Sequence, residues 1–352
     1  MIDDDSRFQG TVEVRERHRF DAAALCTYLE ERLSDFQGPI TLRQFKGGQS
    51  NPTYLLDTPS QRYVLRRKPP GKLLPKAHMV EREFRVMSAL KTTAVPVPQT
   101  YWCCEDPEVI GTAFFLMEFL EGRIFWSSDL PQLDRTDRRT YFNAMNDTIS
   151  ALHSVDYTRV GLSGYGREGS YISRQLNVWT RQYRASETEL ISEMERLIEW
   201  LPIALPDNDE TSIVHGDFRL DNLVFHPSDC KILGVLDWEL STLGHPLVDF
   251  AYHCLPYRLP KSIFNGMRGR DLESLGLPSE HEYIGRYCEN TGRDGIEHFD
   301  YYVIFSLFRL AAIAQGIRGR LRDGTAASAQ AAQMASYVRP LAAEACNLID
   351  AS

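Results

Sequence analysis

The apolar residues change their period near residue 120, and that change limits the folds open to the chain. Before it, apolar and polar residues mostly alternate. "ITLRQF" (40–45), "TYLLD" (53–57) and "RYVLRR" (62–67) read as strands separated by the turn-forming stretches "GGQSNP" and "TPSQ". "VPVPQTYW" (95–102) and "AFFLMEFL" (113–120) supply further strands. Two helices interrupt them. Residues 20–33 carry Leu25, Tyr28, Leu29 and Leu33 at helical spacing, and residues 77–91 carry Val80, Phe84, Met87 and Leu90. Residues 1–16 read as a loose arm. After a hinge at "FLEGR" (119–123), helical periodicity dominates over 139–153, 187–201, 301–320 and 326–348. The expected fold class is therefore α+β and bilobal. A lobe of antiparallel sheet plus helix covers residues 1–120, and a larger, mainly helical lobe covers 121–352.

One stretch departs from the helical pattern. In "SIVHGDFRLDNLVF" (212–225), two apolar runs flank His215, Asp217, Arg219, Asp221 and Asn222, and a further apolar run ends at Asp237. Two short strands joined by a brief loop would form a hairpin and bring these polar residues together. Asn222 and Asp237 offer hard oxygen donors at modest charge. That suits Mg²⁺, which takes few protein ligands and completes its shell with substrate phosphates and water. Asp217 is left to orient a hydroxyl and accept its proton. Singly, such residues often do no more than close turns. Their order, an Asp, then an Asn, then an apolar strand and a second Asp, is the one phosphoryl-transfer chemistry uses.

The motifs "VHGDFRLDNLVF" (214–225) and "LDWELSTLGHPLVDFAY" (236–252) resemble those of the aminoglycoside phosphotransferase and choline-kinase-like family of the protein-kinase-like fold. The resemblance spans residues 38–340. Gly216 stands where protein kinases carry arginine, and Asp237-Trp238-Glu239 where they carry Asp-Phe-Gly, as is usual in this small-molecule branch. The resemblance implies a nucleotide-binding lobe over 1–120 and a catalytic and substrate-binding lobe over 121–352, with ATP and Mg²⁺ as cofactors. It makes Asp217 the catalytic residue and Asn222 and Asp237 the metal ligands. Gly47, Gly48, Gln49, Ser50 and Asn51 would form the loop over the phosphates. The strand "YVLRRK" resembles the one that bears the phosphate-binding lysine, and Arg66 falls at that position, with Lys68 as competitor on the same face. Glu83 would hold Arg66, with Glu81 as competitor. Met117, Glu118 and Phe119 would line the adenine, His215 would hold the catalytic loop, and Asp249 would anchor it.

The implied reaction is transfer of the ATP γ-phosphoryl group to the hydroxyl of a small molecule. A narrower resemblance, in "LRRKPPGKLLPKAHMVEREFRV" (65–86) and "FRLAAIAQGI" (308–317), is to kinase-like domains fused to acyl-CoA dehydrogenases, which implies a hydroxyacyl-CoA acceptor. Charge runs point both ways. Eight acids against Arg196 over 187–210 would suit a cationic aminoglycoside, or simply face water. Arg258, Lys261, Arg268 and Arg270, and then Arg309, Arg318, Arg320 and Arg322, would suit an anionic acceptor. A nucleotide-binding pseudokinase and a nucleotidyltransferase remain alternatives. The net charge of −9 disfavours nucleic acid as a partner. No apolar run reaches the length of a membrane span, so no membrane partner is expected. The acidic N-terminus is unlike a signal peptide, and seven cysteines without a CxxC spacing fit a reducing cytoplasm.

Overall fold

A computed structural model describes residues 10–46, 51–71, 78–324 and 329–351. The chain divides into two compact units. One comprises the chain up to Trp126 with Val160–Leu162 and Leu220–Ser241, and the other comprises Ser127–Arg159, Ser163–Arg219 and the chain from Thr242. The units are therefore interleaved in sequence, and Leu220–Ser241 packs with the first.

In the first unit, β1 (Thr11–Val12), α1 (Ala22–Glu30), β2 (Thr41–Phe45), β3 (Thr53–Asp57), β4 (Arg62–Arg67), α2 (Val80–Leu90), β5 (Thr100–Cys104), α3 (Pro107–Ile110) and β6 (Phe114–Glu118) follow in order. The six strands form one antiparallel sheet in the order β1-β2-β3-β4-β6-β5. The expected loose arm is thus partly strand: Thr11 pairs with Phe45 in β2. The β3–β4 turn is closed by Thr58, whose Oγ1 donates to the Gln61 carbonyl at 2.7 Å and accepts its N–H at 3.1 Å. Asp21 caps α1 by accepting from Ala23 and Ala24 at 2.9 and 3.0 Å.

Strand alternation gives β4 two faces with different tasks. Tyr63 and Leu65 join Leu25, Leu29, Tyr54, Leu56, Phe114 and Leu116 in the core beside α1. Val64 and Arg66 face the opposite side, and there Arg66 meets Glu83 of α2. The register Tyr63↔Glu118 and Val64↔Met117 fixes the end of β6 against β4.

The second unit holds α4 (Arg135–His153), α5 (Tyr171–Ser186), α6 (Ser192–Ile203), β7 (Ser212–Val214) and, beyond the inserted segment, the rest of the helices. Within that segment, β8 (Leu223–Phe225) pairs antiparallel with β9 (Ile232–Val235). The chain then forms β10 (Thr242–Gly244), α7 (Pro246–His253), α8 (Leu255–Arg258), α9 (Glu280–Thr291), α10 (Phe299–Arg322), α11 (Ala329–Ser336) and α12 (Val338–Ala351). Strand β7 pairs with β10 through Val214↔Thr242 and Ser212↔Gly244. Helix α10 is buried nearly all round from Phe299 to Gln315, and α5, α7, α11 and α12 pack on it.

Three helical expectations need correction. The helix expected from residue 187 begins only at Ser192, which leaves Leu190 73% exposed. The single helix expected over 326–348 is two among the described residues. Pro340, in the first turn of α12, lacks the N–H that an interior residue would donate, so it starts a helix where it would break one. Helices α3, α5, α7, α8 and α9 were not anticipated, α7 beginning where the sequence read as short strand-like runs. The last carries a readable signal, a capping box in which Ser279 and Glu282 satisfy each other's backbone N–H groups.

Candidate active site

In the first unit, the hairpin of β8 and β9 has its open end at Asn222 and Asp237. Leu223 opposes Val235, and the Leu236 N–H donates to the Asn222 carbonyl at 2.8 Å. The two oxygen-bearing side chains anticipated from the sequence therefore leave the same end of one hairpin. Asp237 adopts a left-handed conformation, φ 64° and ψ 60°, which turns the chain sharply out of β9. This is a costly region for a residue with a Cβ, and Asp is among the few side chains that visit it routinely.

Arg66 reaches this end from β4. Its guanidinium is 3.1 Å from Glu83, 2.5 Å from Asp237 and 3.5 Å from Glu239. Asn51 is fully buried and ties the cluster together, donating to Glu83 at 3.1 Å and to Glu239 at 3.4 Å, with His78 Nδ1 3.0 Å from its amide oxygen. The competing pair also exists. Lys68 and Glu81 meet at 2.9 Å, but both are about a quarter exposed, whereas Arg66 and Glu83 are almost wholly buried. Burial pushes the Glu83 carboxyl up to about 7; Arg66 opposes this, and the nearby Asp237 and Glu239 charges reinforce it. Burial alone would lower the Arg66 guanidinium, but the surrounding carboxylates hold it charged.

One cation facing three carboxylates leaves local negative charge. Oxygen donors and excess negative charge fit a hard divalent cation. Among the described residues no group of three His, Cys, Asp or Glu side chains is placed to hold a metal by itself.

Of the other first-unit residues, Gly47, Gly48, Gln49 and Ser50 lie outside the described residues. Met117 is buried at the end of β6. Glu118 accepts the Gln99 N–H at 3.1 Å. Phe119 stacks against Phe45 at 6.5 Å, with the Arg62 guanidinium 4.4 Å over its ring.

In the second unit, β7 delivers the chain to a loop held from below by α7. Asp249 is buried and accepts the backbone N–H groups of His215 and Gly216 at 2.7 and 2.8 Å. Burial would push its carboxyl up; His153, with Nε2 3.3 Å away, and the loop's N–H donors outweigh this and hold it below its ordinary value. His215 Nδ1 accepts the Asp217 N–H at 3.2 Å, so the imidazole braces the loop as anticipated. Gly216 takes φ 81°, a conformation that favours glycine. At Asp217, the Tyr252 hydroxyl donates to Oδ1 at 2.6 Å and Arg219 Nε lies 3.0 Å from the same atom. Tyr252 was not anticipated here, and Arg309, read from the sequence as one of a basic run suited to an anionic acceptor, instead donates to the Gly216 carbonyl at 2.8 Å. The signal for Tyr252 is its place three residues after Asp249, one helical turn along the same face.

The charge runs that bore on the acceptor read differently in three dimensions. Arg258 pairs with Glu280 and Asp300, Arg268 with Glu344, Arg270 with Asp129, and Arg318 with Glu189. From the acidic stretch, Glu195 meets Arg184 and Glu210 meets Arg293. Helix packing pairs side chains remote in sequence, so neither run is an open field of one sign.

The sequence profile described as "Phosphotransferase enzyme family" matches residues 41–283. Acyl-CoA dehydrogenase family member 10 of Mus musculus is 48% identical over 335 residues, which are 94% of this chain and 31% of that protein. Family member 11 of Homo sapiens is 43% identical, over 94% of this chain and 43% of that protein. The chain thus spans less than half the length of these curated relatives. A crystal structure of a candidate aminoglycoside phosphotransferase from Ralstonia eutropha is 47% identical with a TM-score of 0.87, covering 94% of this chain and 98% of that one. A mutant of aminoglycoside phosphotransferase APH(4)-Ia, in ternary complex with AMP-PNP and hygromycin B, shares the fold at 16% identity and TM-score 0.63, over 93% of this chain and 99% of that one.

Proposed function

The chain belongs to the phosphotransferase enzyme family and is a small-molecule kinase, and on that premise we propose how its residues divide the work. Asp217 orients the acceptor hydroxyl and takes its proton as the oxygen bonds to the γ-phosphorus of ATP and the bond to ADP breaks. Arg66, held by Glu83, clamps the donor phosphates through the planar guanidinium fork, a geometry that suits phosphate as well as the lysine it replaces. Asn222 and Asp237 would hold Mg²⁺, whose charge offsets that of the phosphates. Asn51, tied to Glu83, lies on the phosphate side of the donor, and Met117, Glu118 and Phe119 line the adenine. Catalysis of this kind is mostly positioning and charge neutralisation.

The observation that carries this is the hairpin end, where Asn222 and Asp237 emerge together and Asp237 meets the buried Arg66–Glu83 pair. Asp217→Ala is expected to lower phosphoryl transfer by at least ~100-fold, the lower end of what general base catalysis contributes, while Mg²⁺-dependent ATP binding by calorimetry stays within a few-fold of wild type. Turnover at the wild-type rate would falsify the role of Asp217. Intact ATP binding with no transfer from the unaltered protein to any acceptor would favour a pseudokinase. Pyrophosphate as product, in place of ADP, would make it a nucleotidyltransferase.

For the acceptor we propose a hydroxyacyl-CoA thioester. The support is the likeness to acyl-CoA dehydrogenase family members 10 and 11, and the paired arginines add nothing to it. The second reading is an aminoglycoside, favoured by the fold shared with a hygromycin B complex. ADP release measured with hydroxyacyl-CoA thioesters and with kanamycin or hygromycin B separates them, and release only with the antibiotics removes the thioester. The chain has no helix among its described residues long and apolar enough to cross a membrane, and its seven cysteines are free thiols. These features support a cytoplasmic location.

A further inference from the structure

Helix α7 presents two polar side chains to the Asp217 loop, Asp249 and, one turn later, Tyr252. Asp249 binds the loop's backbone. Tyr252 binds its carboxylate, donating to Asp217 Oδ1 at 2.6 Å. The phenol is buried, and burial first, with the Asp217 charge beside it, pushes its ionisation far above the ordinary range, so it keeps its proton and remains a donor. Arg309 of α10 closes the arrangement. Its Nη2 donates to the Gly216 carbonyl at 2.8 Å, and its guanidinium lies 5.5 Å over the Tyr252 ring and 5.7 Å over Trp179. Arg309 is only 7% exposed, and its Nε is buried with no hydrogen-bond partner among the described residues. A buried cation of this kind is stabilised by a carbonyl dipole and two ring faces. Its charge also makes the stacked phenol a stronger donor.

Building on Asp217 as the proton acceptor, we propose that Tyr252, backed by Arg309, is a positioning residue that holds the Asp217 carboxylate in its reacting orientation. A hydrogen bond from a buried donor to a carboxylate is short and strong, and beside the half-exposed Arg219, 3.0 Å from the same oxygen, it narrows the rotamers the side chain samples. Narrowing them before the substrate arrives removes reorganisation from the chemical step. Tyr252 acts on the Asp217 carboxylate and not on the substrate in this proposal. Its effect passes through Asp217 alone, so it belongs in kcat and leaves nucleotide binding unchanged.

The experiment compares wild type, Asp217→Asn and Tyr252→Phe, which keeps the ring that Arg309 covers. Two readouts are taken. Protein labelled with [γ-13C]aspartate gives a carboxyl resonance for Asp217, assigned by its loss in Asp217→Asn and readable without any acceptor. It should move in Tyr252→Phe and stay put in Tyr54→Phe, a buried tyrosine of the first unit's core beside α1. Steady-state ADP release with Mg²⁺-ATP, using water or hydroxyacyl-CoA thioesters as acceptor, should show kcat lowered roughly 10- to 100-fold, the worth of one charge-assisted bond, with KM for ATP within twofold. An unmoved resonance, or a changed KM for ATP with kcat intact, overturns the role of Tyr252. If Asp217→Asn turns over like wild type, the role of Asp217 itself fails instead, whatever the resonance does.

Discussion

At the scale of single residues, the protein separates side chains that must stay charged from side chains that must stay neutral. His253 is of the second kind. It is buried, with Nδ1 3.2 Å from the Phe218 carbonyl and Nε2 2.7 Å from the Tyr283 hydroxyl, and burial pushes it down to about 4. An unfolded chain takes up this proton near pH 6.5, and the folded chain does not until about pH 4. The unfolded state therefore binds more protons across that interval, so the group's stabilisation is complete above pH 6.5 and is lost as the pH falls towards 4. The full effect is about 3 kcal/mol. His253→Gln should lower the melting temperature at pH 8 yet flatten its fall between pH 6.5 and 4, as calorimetric scans at stepped pH would read. His245, also lowered by burial, leaves part of the slope in place. Among site residues, Arg66 with Glu83 was legible only through the family resemblance of "YVLRRK" and the helix after it, since strand alternation leaves Lys68 on the same face and Glu81 lies two residues from Glu83. Tyr252 and Arg309 were not, since their partners Asp217 and Gly216 lie 35 and 93 residues away in the chain.

At the scale of elements, α7 is the anchor of the Asp217 loop, and its worth is measurable. Removing Asp249 leaves two backbone N–H groups and His153 without their acceptor inside the second unit. Asp249→Ala is expected to cost about 3–5 kcal/mol, the range for breaking one partner of a buried pair, read as a shift in the urea midpoint. Asp249→Asn keeps one acceptor oxygen and should fall between the two. The sequence located α2, α4 and the β8–β9 hairpin well because each has a full apolar period. It misplaced the start of α6, where Leu190 continues an apolar rhythm that the backbone does not follow. It passed over α5, whose buried face of Tyr171, Ile172, Leu176 and Tyr183 is sparse among polar residues. Charge runs misled most, because a run records neighbours along the chain while ion pairs form across packed helices.

At the scale of the whole molecule, neither compact unit is a continuous piece of sequence. The sheet of the first unit ends near residue 118, but the unit also needs Leu220–Ser241. Arg123 and Phe225 exchange backbone bonds of 2.8 Å in each direction, and the partners of Arg66 at Asp237 and Glu239 come from the same segment. A fragment that stops at Trp126 should therefore fail to melt cooperatively, since it leaves the Arg66–Glu83 pair without its neighbours and Gly122 without its packing on Val224 and Phe225. The same fragment joined to residues 220–241 through a Gly/Ser linker should recover a cooperative transition by differential scanning calorimetry. The pairing of β7 with β10 has one more consequence. Val214 and Thr242 are ladder partners, so the chain leaves the second unit and re-enters it one strand away. Topologically this is a stem with a loop. The two strands are the stem, and the proposed proton acceptor and metal ligands are all carried on the loop. Such an arrangement lets the chemistry between Val214 and Thr242 be exchanged or retuned without rethreading the helices that follow it.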